Sequence, residues 1–298
     1  MKIVPPGSLL ATSDLHVTHK GNREIVEELR PAHPDDWLIV AGDVAESLAA
    51  ITWCLGLLRE RFAKVIWVPG NHELWTVHED AARGQARYEQ LVELARGLDV
   101  VTPEDEYPVF RHEGREVVVA PLFLLYDYSF REPGQSLEAA LEHAYSTGLV
   151  FNDEHVLHAD PYPSRQDWCA ARVELTEKRL AAIPEHRSTV LVSHFPLHRG
   201  PTRMLRHPHL AMWCGTERTA DWHLRFRVEA AVYGHLHIPL TLEFDGIRFE
   251  EVSLGYPREW RSRAHPPRPL RPILPADPNR IPYNAPGQPG AARFGAGA

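Results

Sequence analysis

Cysteine is scarce: Cys54, Cys169 and Cys214 are the three in 298 residues, far apart and without a Cys-x-x-Cys pair. This argues against a disulfide framework and a thiolate zinc site, and it fits a reducing compartment. Basic charge is also in deficit. Lys plus Arg total 32 against 40 Asp plus Glu, a formal charge of −8, so most of the surface repels polyanions. Nucleic acid binding needs a local basic patch, and no extended Lys/Arg stripe supplies one. No apolar run reaches the length that spans a bilayer, and residues 1–12 lack the length and cleavage pattern of a secretory signal. The expectation is a soluble cytoplasmic protein with no membrane partner. Internal repeats are absent, and the sequence is silent on oligomeric state.

A hydrophobic content of 44% is enough for one large core, with or without an added cap, and no crosslink is needed to hold it. Leu9 to Thr12, Trp37 to Ala41 and Val65 to Val68 are short apolar runs, each followed by a polar turn, and read as buried strands. Helical spacing covers 47–61, with Ser47 as a cap, and helices are expected over 79–96 and from Asp167 to Ala182. Short strands are expected near Asp99–Val101 and Val117–Ala120, then over Thr189–Val192 and 228–233. Stretches 239–244 and 247–254, joined by Asp245-Gly246, read as a hairpin. This alternation predicts a layered α/β fold with chemistry at strand ends, and the late hairpin predicts a mixed sheet.

Two segments break the pattern. Residues 122–166 carry Tyr126, Tyr128, Phe130, Tyr145, Phe151 and Tyr162, and are either a cap facing a substrate or an excursion whose aromatics pack on the core. Residues 257–298 hold ten prolines and few bulky aliphatics, so this tail lacks material for a core and either drapes over the 1–256 domain or stays mobile.

Five polar blocks sit where the apolar runs end: Asp14-Leu15-His16, Gly42-Asp43, Gly70-Asn71-His72-Glu73, Ser193-His194 and Gly234-His235-Leu236-His237. Asp14 and His16, two apart, can converge on one ion, and the two oxygens of Asp43 can bridge two ions. Asn71 offers a neutral oxygen, while His194, His235 and His237 offer imidazole nitrogens. Taken singly, an Asp in a turn is ordinarily a cap and a lone His ordinarily structural. Seven such residues at successive strand exits have one common explanation, a binding centre for a pair of metals.

In these blocks the chain resembles the calcineurin-like metallophosphoesterases, whose pattern is Asp-x-His, Gly-Asp, Gly-Asn-His-Asp/Glu, a later His and Gly-His-x-His. The resemblance runs from residue 14 to 237 and implies a four-layer α/β/β/α sandwich. It implies Asp14, His16, Asp43 and His237 around one metal, and Asp43, Asn71, His194 and His235 around the other. His72 matches the position that contacts substrate phosphate and donates a proton. The second block, Gly42-Asp43-Val44-Ala45-Glu46-Ser47, lacks the arginine of the family's protein phosphatases.

The expected chemistry is attack on phosphorus by a hydroxide bridging two divalent or mixed-valence ions of Mn, Fe or Zn, with His72 and Asp14 as catalytic groups. Asp14 would orient either His72 or the water; Glu73 would either hold His72 or cap its own turn. Substrate contacts are expected from Asn71 and His72. In the loop after His194 they are expected from Arg203 and His198, unless that loop is merely solvated. A small-molecule phosphomonoester is the first expectation. Phosphodiester hydrolysis, of cyclic nucleotides or nucleic acid, and metal-containing binding without turnover are the alternatives.

Overall fold

Side chains alternate along each strand, and that alternation builds the layers. The computed structural model describes residues 7–77, 81–148, 151–263 and 265–284. Its first sheet contains β1 (Leu9–Thr12), β2 (Trp37–Val40) and β3 (Lys64–Trp67), all parallel, with helices α1 (Lys20–Glu28) and α2 (Leu48–Arg61) in the connections. Next come α3 (Asn71–Leu74) and α4 (Gly84–Gly97), then the strands β4 (Val109–His112) and β5 (Arg115–Pro121). Helices α5 (Leu137–Ser146), α6 (Asp153–Val156) and α7 (Arg165–Ala181) precede β6 (Ser188–Val192), and α8 (Trp222–Arg225) precedes β7 (Val228–Tyr233). The chain closes with β8 (Thr241–Phe244), β9 (Ile247–Glu251), α9 (Pro257–Trp260) and β10 (Arg271–Leu274). The second sheet has the order β4-β5-β6-β7-β9-β8, with β5, β6, β7 and β9 parallel and the outer strands antiparallel.

The two sheets meet face to face. Leu9, Ala11, Ile39, Ala41, Ile66 and Val68 of the first form one core cluster with Val117, Val119, Val190, Val192, Ala230 and Val232 of the second. The alternate residues, such as Leu38, Val40, Val65, Leu191 and Ala231, join the cluster that contains Ile51, Leu55, Leu58, Leu91, Trp168 and Leu180 from the helices. This is the expected α/β/β/α sandwich. Among the described residues no helix is long and apolar enough to cross a membrane.

Local expectations fare unevenly. Ser47 caps α2, its hydroxyl accepting from Ala50 N at 3.3 Å, and Asp245-Gly246 turns the β8–β9 hairpin with both residues at positive φ. The helix expected over 79–96 is α4, beginning at Gly84; residues 79 and 80 lie outside the described set. The strand expected at Asp99–Val101 reduces to one bridge between Val101 and Ile66. The largest correction concerns the proline-rich tail. Its β10 pairs antiparallel with β1 at the sheet edge, and Ile273 and Leu274 are buried between the sheets. Pro272 is tolerated because an edge strand leaves one row of amides unpaired. The tail beyond residue 284 lies outside the described residues.

Candidate metal centre

At the C-terminal ends of β1, β2 and β7 the chain enters the site, and there the backbone turns left-handed. Asp14 (φ 52°), His16 (39°), Asp43 (54°), His235 (69°) and His237 (55°) all adopt it, at a cost of roughly 1–3 kcal/mol each. Main-chain pairing between the loops enforces it: Asp14 N donates to Gly42 O at 2.9 Å and His16 N to Asp43 O at 3.0 Å. Two glycines are obligatory for that closeness. A Cβ on Gly42 (φ 90°) would stand 2.6 Å from His194 Nδ1, and one on Gly234 would stand 2.0 Å from Ser13 Oγ and 2.3 Å from Asp14 Oδ2.

The predicted side chains converge. Asp14, His16 and His237 each bring a donor atom within 4.8 Å of the others, as do Asp43, His194 and His235, and also His16, Asp43 and His72. His237 Nε2 is 3.0 Å from Asp14 Oδ1 and 3.4 Å from His16 Nε2. His194 Nε2 is 3.2 Å from Asn71 Oδ1, 3.2 Å from His235 Nδ1 and 3.4 Å from Asp43 Oδ2.

The tautomers say what such crowding is for. His194 Nδ1 lies 2.8 Å from the Ala41 carbonyl and His237 Nδ1 lies 2.7 Å from Glu259 Oε2, so in the neutral rings Nδ1 carries the proton and Nε2 presents a lone pair. Asn71 donates its Nδ2–H to Asp153 Oδ1 at 3.0 Å, which turns its Oδ1 inward. Acceptors therefore face acceptors around His194 and around His237. A cation between them relieves that arrangement, and the oxygen and imidazole donors suit divalent Mn, Fe or Zn.

In the protein alone, protons stand in for cations. Burial lowers the His194 and His237 pKa values, but Asp43 lifts the first to about 9 and Asp14 lifts the second well above 6.5. Burial, reinforced by neighbouring imidazoles, drives His16 down to about 4 and His235 to about 3. Burial raises Asp14 and Asp43, yet His237 and His194 hold both below the ordinary carboxylate range. Ser253 Oγ lies 2.6 Å from Asp14 Oδ2 and also contacts Glu251 Oε1. One hydroxyl proton cannot serve two anions. Glu251 resolves the conflict: burial, then the charge of Asp14, raises its pKa to about 7, so it can bring its own proton.

His72 sits beside the cluster, its ring stacked on Trp75 at 3.7 Å and edge-on to His16 at 4.7 Å. Its Nδ1 is 2.9 Å from Glu46 Oε1, and its Nε2 is 3.4 Å from the Tyr256 hydroxyl. Of the two roles open to Glu73, the structure gives it the turn: it accepts from Gly70 N at 2.8 Å, Val44 N at 2.8 Å and Asp43 N at 3.0 Å. Glu46 holds His72 instead. Asp14 likewise serves His237, Ser253 and the His235 amide. The expected substrate contacts after His194 do not join the cluster. The His198 ring packs at 4.8 Å from Phe244 and 5.7 Å from His223, and exposed Arg203 lies close enough to lower the His198 pKa.

Sequence reasoning passed over Glu46, Asp153, Ser253, Tyr256 and Glu259. Glu46 stands three residues after Asp43 inside the second block, which was the available signal. Tyr256 stacks on His16 at 4.4 Å, and Glu259 orients His237 from within the proline-rich segment. Aromatics of residues 122–166 pack on the core, the second of the two readings open to them. Tyr126, Tyr128, Ala140 and Ala144 pack with Phe195 and Trp213 in a satellite core. From the same segment, buried Asp153 holds Asn71, and Phe151 stacks on Trp213 at 4.8 Å while standing 6.3 Å from His235. Cys214 is a buried thiol, and burial raises its pKa and disfavours the nucleophilic thiolate.

The family model of the calcineurin-like phosphoesterases matches residues 7–239. The [acyl-carrier-protein] phosphodiesterase PptH of Mycobacterium tuberculosis is 52% identical over 278 residues, which span 92% of this chain and 85% of that protein. The crystal structure of the phosphopantetheinyl hydrolase PptH from the same organism superposes with a TM-score of 0.89 at 51% identity, covering 94% of this chain and all of that one.

Proposed function

Because the chain belongs to the calcineurin-like phosphoesterases, a family of metal-dependent hydrolases, we propose that it is a phosphodiesterase that cleaves the phosphopantetheinyl ester of an acyl carrier protein. The carrying observation is similarity at 52% identity to an acyl-carrier-protein phosphodiesterase over a stretch too long to end where the family match ends, at residue 239. The first expectation, a small-molecule phosphomonoester, gives way to the diester alternative, and the partner changes from a small molecule to a protein carrying the ester.

On this reading Asp14, His16, Asp43 and His237 hold one ion, and Asp43, Asn71, His194 and His235 hold the other. When bound, the ions supply Lewis-acid polarisation of the phosphoryl oxygens and lower the pKa of water. Water adds to phosphorus and one P–O ester bond breaks, leaving an alcohol and a phosphomonoester. The chain's own groups do the rest. His72 Nδ1 is committed to Glu46, so Nε2 is the atom left to pass a proton to the departing oxygen. Burial alone would discharge His72, but Asp43 and then Glu46 raise its pKa and favour the protonated form. Trp75 stacked on the ring fixes its plane.

The test is a hydrolysis matrix of Mn, Fe and Zn against a phosphopantetheinylated carrier protein and a panel of monoesters. The carrier should lose one phosphopantetheinyl group by intact-protein mass spectrometry, only with metal present. Release of phosphate from monoesters with the carrier left intact would return the assignment to a phosphomonoesterase. Elemental analysis of protein purified without chelator or affinity tag identifies the native ions.

A further inference from the structure

Beyond the cluster, the turn that follows β9 forms a basic rim, and we propose that this rim is where the carrier protein docks through an acidic face beside its ester. The inference rests on the phosphodiesterase reading and adds to it the surface that recognises the protein part of the substrate.

The rim is continuous with the site. A groove of about 430 Å³ is lined by His19, Tyr256, Pro257, Arg258 and Arg261. Tyr256 is its inner wall, stacked on His16 at 4.4 Å and reaching His72 Nε2 at 3.4 Å. One face of that ring therefore belongs to the groove and the other to the cluster. The charge distribution of the turn is sorted. Glu259, its one acid, points inward to His237 Nδ1 at 2.7 Å and Tyr256 N at 2.8 Å. Arg258 and Arg261 are exposed, their guanidinium carbons 5.3 Å from the Tyr256 ring centroid and 5.1 Å from that of Trp260. Among the described residues neither makes an ion pair within 4 Å. Arg263 fastens the turn by donating to the Leu254 and His237 carbonyls, each at 3.3 Å, so the rim is held at the mouth of the site.

The occupant follows from charge complementarity. The chain carries −8 overall, so an acidic partner is repelled by most of its surface and gains only where uncompensated arginines stand. A basic partner would be repelled here. A carrier protein with an acidic face beside its ester would thus be both steered to this rim and oriented by it. Solvent-exposed charges act at this range on encounter rate more than on the chemical step.

The test compares the wild-type protein, R258E/R261E and R258K/R261K, all metal-loaded, on the phosphopantetheinylated carrier protein and on bis(4-nitrophenyl) phosphate, with inorganic phosphate as a competing anion. For the carrier, kcat/KM should fall about tenfold or more in the Glu variant, mostly through KM, and the Lys variant should stay near wild type. The wild-type rate on the carrier should fall with added NaCl, and the Glu variant should lose that dependence. Turnover of the small diester should change less than about twofold in either variant. Equal losses on both substrates, or no loss on the carrier, overturn the proposal. So does carrier turnover that persists while inhibition by phosphate disappears, which assigns the arginines to a free anion. A wild-type protein that hydrolyses the small diester and never the carrier keeps the phosphodiesterase chemistry but overturns the carrier-protein substrate together with the docking surface.

Discussion

The two flanks of the cluster are built from the same donor chemistry and supported in opposite ways. On the flank of His16 and His237, the support comes from the turn after β9: Glu259 orients His237, Tyr256 covers His16, and the surface beyond is basic and open. On the flank of Asn71, His194 and His235, the support is interior. Asp153 is fully buried and takes hydrogen bonds from Asn71, Trp75 and Tyr126, His194 is fixed by a main-chain carbonyl, and Phe151 with Trp213 closes the side. The difference teaches which functions each flank can serve. A flank that is part of the core holds its candidate ligands as firmly as the fold itself, whereas a flank closed by a surface turn is the one on which the proposed protein substrate would have room.

Removing the one carboxylate common to both flanks should have the largest effect. Asp43→Asn keeps the shape but takes away the anion that faces His194, His72 and His16. Loss of ion retention should lower turnover on the order of 10³-fold, with bound metal below the wild-type content by elemental analysis. Full metal content with normal turnover would show that the flanks do not share Asp43. Asp153→Ala should be next and should act on stability. It leaves the Asn71, Trp75 and Tyr126 donors without their buried acceptor, at a cost of about 3 kcal/mol or more, read as a lower urea midpoint at unchanged m-value. A midpoint within experimental error of wild type would mean that the interior flank is no firmer than the open one.

The candidate ligand blocks were legible because each is local: a strand ends, and within a few residues the donor appears. The hairpin at Asp245-Gly246 and the Ser47 cap are legible for the same reason. What escaped is non-local. Glu259 meets His237 across 22 residues and Asp153 meets Asn71 across 82, and no periodicity announces either pairing. β10 escaped for a compositional reason. Its prolines signal a tail, yet on a sheet edge Pro272 needs no donor, and Ile273 with Leu274 supplies enough apolar surface to be drawn between the sheets. Glu73 shows the limit of adjacency. It follows His72 in sequence, but its carboxylate turns back to three amides, and the more distant Glu46 reaches the imidazole.

Glu259→Gln sharpens the comparison from the open side. The amide keeps the volume and loses the anion that fixes the His237 tautomer, so affinity for the ion on that flank should fall about 10–100-fold in a chelator competition with Mn²⁺. Thermal stability should move little, because Glu259 is partly exposed and a Gln amide oxygen can still accept from His237 Nδ1–H and the Tyr256 amide. A drop in stability matching that of Asp153→Ala would erase the distinction between the flanks.

The smallest effect tests how the interior flank is anchored to the body. Glu104 accepts from Tyr88 Oη and Arg172 Nη2, each at 2.6 Å, and the Arg172 guanidinium lies over Phe123 at the start of the 122–166 segment. Burial raises the Glu104 pKa, but Arg172 and the Tyr88 hydroxyl outweigh it and leave the group below its ordinary 4.5. A depressed carboxyl pKa means that the folded state binds its proton less readily than the unfolded chain. The stabilisation is therefore fully present above pH 4.5 and is lost as pH falls through the lower folded value. With the side chain 28% exposed, the contribution is about 1 kcal/mol. Glu104→Gln should lower the melting temperature slightly near neutrality and converge with wild type in acid, with metal affinity untouched. A gap between the two proteins that stays constant as pH falls would mean that the ion pair does not anchor the 122–166 segment, and that this flank owes its firmness to Asp153 and the aromatic packing alone.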